Sequence, residues 1–204
     1  MTITVWLSLF SICLLGAMSP GPSLTIVAKH SLASGRVHGI AVAWSHAMGI
    51  GLYASIAIMG LSVMMEQTPL IFKGITLAGA AYLIYLGTRA LRSTGGLAAK
   101  LASGEKTSIF EGMRESFLIS ILSPKIMLFF TALFSPFIAI ANDVFDQLVI
   151  VFTPLLIDGL WYSLIATFLT NTKVINTVRA KALIIDRLSG VILILLALRV
   201  IYTI

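Results

Sequence analysis

Long apolar runs divided by short polar interruptions dominate this chain. A helix crosses the hydrocarbon core of a bilayer with about 20 mostly apolar residues. Stretches of that kind fall at 4–28, 37–65, 69–90, 116–141, 147–170 and 188–202. The pattern predicts an all-α integral membrane protein of six transmembrane helices, the second long enough to tilt or to extend beyond the core. Turn-forming residues punctuate the runs at Ser34-Gly35, Thr68-Pro69, Ser93-Thr94-Gly95-Gly96 and Asn142-Asp143.

Composition agrees. Hydrophobic residues make up 58% of the chain and charged residues 11%, with a mean hydropathy of +1.03, against about 25% charged residues in a soluble domain. With so few charges the chain has no polar shell to cover itself. The net charge of +6 does not point to nucleic acid, because the basic residues sit in short loops, with no basic helix face. The single cysteine, Cys13, lies in an apolar run, which excludes an internal disulfide and a multi-cysteine metal site. The first charged side chain is Lys29, so the basic start of a cleavable signal is missing.

The Lys/Arg bias sets an expected orientation. Lys29 and Arg36 lie between runs one and two. Arg89, Arg92, Lys100, Lys106 and Arg114 lie between three and four, and Lys173, Arg179, Lys181 and Arg187 between five and six. The other two loops offer only Glu66, Asp143 and Asp146. A bacterial inner-membrane protein with both termini outside is expected, its basic linker at 92–111 lying against anionic lipid. One transporter domain spans 1–204, with halves at 1–91 and 112–204. No GxxxxGK[ST] motif occurs, so transport would run on an ion gradient or through a partner.

Two runs share an interruption. Run one contains Met18-Ser19-Pro20-Gly21-Pro22, and run four contains Leu122-Ser123-Pro124-Lys125. Proline removes a backbone donor and clashes with the preceding turn. The released carbonyls must then face protein or a polar cavity. Three helices per half make the second half enter the membrane from the opposite side. An inverted 3+3 repeat follows, with broken helices 1 and 4 meeting at the midplane, as in the substrate sites of secondary transporters. Simple kinks are the plainer explanation.

These residues resemble the LysE/RhtB family of amino-acid exporters across nearly the whole chain. The likeness is carried by residues 18–22, the basic turn at 29–39, Trp44-Ser45-His46-Ala47-Met48-Gly49, Gly60-Leu61-Ser62 and the stretch 79–87. It continues through Ser123-Pro124-Lys125, Leu128-Phe129-Phe130 and Phe134-Ser135-Pro136-Phe137. The resemblance implies a six-helix exporter of amino acids or their derivatives, driven by the proton motive force, and not an enzyme. Ser123 departs from the family's usual Asn, so substrate preference does not carry over.

Charges at depth cost about 2.5–3.5 kcal/mol each on insertion scales, and three ionisable residues fall near one layer. Lys125, Asp158 and His46 each lie about ten residues into their runs, near the midplane at about 1.5 Å per residue. An ion pair between Lys125 and Asp158 is expected, which an amino acid would open: its carboxylate to Lys125 and the amides near Gly21, its ammonium to Asp158. A purely structural salt bridge is the alternative. The substrate-binding set is thus Ser19, Pro20, Gly21, Pro22, Ser123, Pro124, Lys125 and Asp158. The proton carrier is undecided between His46, a residue type suited to taking up and releasing protons, and Asp158. Ala43, Ala47 and Gly51 form a small-residue stripe suited to close helix packing, with His46 displaced from it. His30 and His38 are expected to be solvated, Lys73 and Arg199 to snorkel, and Tyr82, Tyr85, Trp161 and Tyr162 to line the pathway or pack inside. The expected partners are a small amino-acid substrate, the coupling proton and membrane lipid, with no cofactor. A homodimer is compatible with the sequence, which has no motif that decides it. Export of divalent metal and a non-transporting assembly role are the competing functions. The metal reading is poorly supported, since no Cys pair or second buried carboxylate accompanies His46 and Asp158.

Overall fold

The computed structural model describes residues 1–19, 21–93, 108–141, 143–170, 176–177 and 180–203. Pro20 and most of the linker, 94–107, lie outside the described residues. Eight helices are described: α1 (Ile3–Met18), α2 (Pro22–Ser34), α3 (Arg36–Gln67), α4 (Pro69–Leu91), α5 (Ile109–Leu122), α6 (Pro124–Ile138), α7 (Val144–Leu169) and α8 (Ala182–Thr203). No strand is present among the described residues.

Three segments are long and apolar enough to cross a bilayer alone: Arg36–Gly60 of α3, α4 and α7. Two bent pairs supply further spans. α1 and α2 meet at 59°, and Ile109–Leu122 meets Lys125–Phe134 at 51°. The sixth expected span is α8, in which Asp186, Arg187 and Arg199 flank an uncharged stretch at 188–198. Large apolar side chains such as Leu7, Met59, Leu160, Phe168 and Leu195 are exposed. A surface of this kind belongs in lipid.

The two breaks are built alike. Ser19 ends α1 at φ −70°, ψ 116°, and Ser123 ends α5 at φ −74°, ψ 114°. Each precedes a proline, whose ring drives the preceding residue out of the helical region. The proline at the first position of the next helix then restarts it without losing a needed donor. α3 packs most extensively on α7, and α4 on α8. The α4–α8 seam is tight: a Cβ on Gly190 would lie 2.6 Å from the Gly87 carbonyl oxygen.

Helix starts follow local capping. Ser108 and Glu111 form a capping box at α5, and the Asp143 side chain accepts from the Asp146 amide at α7. A single residue, Gly35 at φ +90°, joins α2 to α3, a conformation that L side chains rarely adopt. α5 begins at Ile109, well before the expected run at 116, so Glu111, Arg114 and Glu115 are helical.

Candidate functional site

The central site is assembled from one face of each of several helices. Cys13, Gly16 and Ala17 present one stripe of α1 to a cavity of about 50 Å3. α3 contributes His46 and Ile50, and α7 contributes Pro154, Asp158 and Tyr162, each set spaced four residues apart. From α6 come Lys125 and, one turn on, Phe129. The volume is that of a few water molecules.

The broken end of α1 is held by side chains from the other half. The last carbonyls of a helix have no partner within it. Ser19 N–H donates to the Gly16 carbonyl at 3.2 Å. The buried Tyr162 hydroxyl donates to the Ala17 carbonyl at 3.1 Å. The Lys125 ammonium donates to both the carbonyl and the hydroxyl of Ser19, each at 3.1 Å. A cation is favourable at this end of a helix. Gly21 makes room for it, since a Cβ there would lie 3.3 Å from Lys125 Nζ.

Asp158 is paired with His46. Its Oδ2 lies 2.8 Å from His46 Nδ1, where the expected ion pair had Lys125. That expectation is corrected: Lys125 caps the break and Asp158 bonds the histidine, although all three line one cavity. The reason is local. An ammonium beside an interrupted helix finds carbonyl acceptors at once, and an imidazole on the adjoining α3 satisfies the carboxylate. The other ring nitrogen, His46 Nε2, is buried and has no hydrogen-bond partner among the described residues. The ring meets Tyr162 edge-on at 5.6 Å.

The remaining expected site residues divide. Ser19 and Gly21 adjoin the Lys125 ammonium. Ser123 is buried and caps α5 without lining the central cavity. Pro22 starts α2 and is exposed. Pro20 lies outside the described residues, as does the side chain of Pro124. Of the four aromatics considered, Tyr162 reaches the cavity, while Tyr82 and Tyr85 lie on α4.

A second polar cluster contradicts an expectation. His30 is fully buried rather than solvated. Its Nε2 lies 3.1 Å from Glu115 Oε2, and the ring stacks on His38 at 6.1 Å. Lys29 Nζ donates to both Glu115 oxygens, at 3.1 and 3.0 Å. Glu115 escaped notice because the run pattern assigned it to a loop, and only its placement nearly two turns into α5 brings it to α2.

A polytopic helical membrane protein with two interrupted spans around a charged cavity is the class these features define. The chain belongs to the LysE type translocator family, whose model matches residues 14–203. It is 28% identical over 184 residues to the uncharacterized membrane protein YrhP of Bacillus subtilis, covering 86% of this chain and 88% of that protein. It is 29% identical to an uncharacterized membrane protein of Vibrio cholerae, over 78% of each chain. It is 30% identical over 121 residues to the leucine efflux protein of Salmonella typhimurium, covering 58% of this chain and 56% of that one. No solved structure matches the chain.

Proposed function

We propose that this protein is a secondary-active exporter of amino acids or their derivatives in the bacterial inner membrane, with both termini outside, driven by the proton motive force. Membership of the translocator family and the likeness to leucine efflux proteins support the substrate class. The observation that carries the reading is the convergence of Lys125 and the His46–Asp158 pair on one cavity beside the broken end of α1. In this reading the substrate carboxylate takes the Lys125 ammonium from Ser19, and the substrate ammonium takes Asp158.

Proton coupling then follows from competition. A carboxylate holds either a proton or a cation well, but not both. His46 relays a proton to Asp158 through Nδ1, and the protonated pair releases the substrate ammonium. Substrate and proton thereby exchange on one group, which is antiport. Asp158→Asn keeps the size and much of the hydrogen bonding but cannot ionise. We expect it to abolish export of accumulated amino acids from dipeptide-fed cells while the protein still reaches the membrane intact. Normal export by that variant refutes the role of Asp158.

A further inference from the structure

The walls of the central cavity differ in kind. Lys125 and the His46–Asp158 pair match the two charged ends shared by all amino acids. The rest is mostly apolar, chiefly Ile50, Ile126, Phe129 and Phe130 with Cys13 beside them, and Ser23 and Tyr162 are the polar exceptions. Phe129 stands one helical turn beyond Lys125, so a carboxylate at Lys125 directs a side chain onto that ring. Across from it, Gly16 leaves the space the ring occupies, because a Cβ there would lie 2.5 Å from Phe129 Cζ. We propose that Gly16, Phe129 and Phe130 form the side-chain subsite, and that the substrate class is neutral amino acids with aliphatic side chains. This rests on the amino-acid export reading above. A lysine or glutamate would set a third charge against an apolar wall inside the membrane, where an unpaired charge is costly.

The test uses the full-length protein in proteoliposomes preloaded with one unlabelled amino acid, measuring counterflow of labelled L-leucine. Loaded L-leucine and L-methionine drive counterflow, and L-lysine and L-glutamate do so about a hundredfold less well, the equivalent of one unpaired membrane charge. Phe129→Ala raises L-phenylalanine relative to L-leucine by about tenfold, whereas mere structural damage lowers all rates in proportion. Equal counterflow with lysine and leucine overturns the class but leaves export standing, and an unchanged phenylalanine-to-leucine ratio overturns the subsite. Counterflow with no amino acid overturns this inference and the export reading together.

An independent observation carries a second inference. Lys29, His30 and Glu115 tie α2 to α5, and Ile26, Val27, Val42 and Ala43 are buried in one apolar cluster with Tyr162, which lines the cavity. We propose that the Lys29–Glu115 ion pair is a latch that holds the pathway shut at this end and parts when the cavity opens toward it. Cys13, the chain's single cysteine, lines the cavity and reports access without any substrate being known. Vesicles of both orientations are treated with the membrane-impermeant trimethylammonium-ethyl methanethiosulfonate. From the face bearing Lys29, Glu115→Gln and Lys29→Gln label Cys13 several-fold faster than the unaltered protein, and the charge swap Lys29→Glu with Glu115→Lys returns the slow rate. Labelling at the unaltered rate in both single variants overturns the latch.

Discussion

The two ends of the membrane-spanning core close by different means. At one end α5 meets α2 through the Lys29–Glu115 pair, whose side chains are 33% and 42% exposed, and meets α3 through the Ser116 hydroxyl, which donates to the Val42 carbonyl. At the other end α6 carries a cluster of rings, which Tyr53 of α3 joins at 5.6 Å from Phe130. Phe130 and Phe134 lie 4.2 Å apart, and Phe134 contacts Phe129 and Phe137 at longer range. Beyond those rings lies a second cavity of about 190 Å3, bounded by Ile12, Leu133, Phe137 and Arg199. The aromatic end holds this cavity, whereas near the polar end Ile26, Val27, Val42 and Ala43 are buried in one cluster. Ion pairs at a water-facing rim have a partner in water when they part, so they open cheaply. Packed rings release only to lipid or to an apolar ligand, so they suit a stable structural hinge.

That contrast is open to direct attack. The largest effect belongs to Phe134→Ala, because Phe134 is fully buried at the centre of the ring cluster. Truncating such a ring costs about 3–5 kcal/mol, and thermal unfolding of the purified protein in detergent measures the loss. A value near zero would mean that the aromatic end is no better packed than the surrounding lipid. Gly35→Ala comes next. Its φ of +90° gives a strain of about 1–3 kcal/mol, read as a lower melting temperature in the same assay. The open space around Gly35 means that backbone conformation alone accounts for the change. The smallest stability effect falls on Glu115→Gln, about 0–1 kcal/mol for a partly exposed pair. Its accelerated Cys13 labelling alongside a nearly unchanged melting temperature separates a latch from a mere brace.

Sequence alone settled what depends on local chemistry and composition. Apolar runs with so few charges require lipid. A serine followed by proline breaks a helix wherever it stands, and Ser19 and Ser123 adopt nearly the same backbone conformation for that reason. The periodic placement of Lys125, Asp158 and His46 also set them at one depth, since rise per residue is a constant of the helix. The tertiary structure decided who bonds whom. Asp158 meets His46 and not Lys125, Tyr162 reaches the Ala17 carbonyl, and His30 is buried beneath Glu115. Such pairings depend on helix rotation and on which helices adjoin. Depth along one axis is written in the residue count, whereas the angle each side chain takes around that axis is set only when the helices pack.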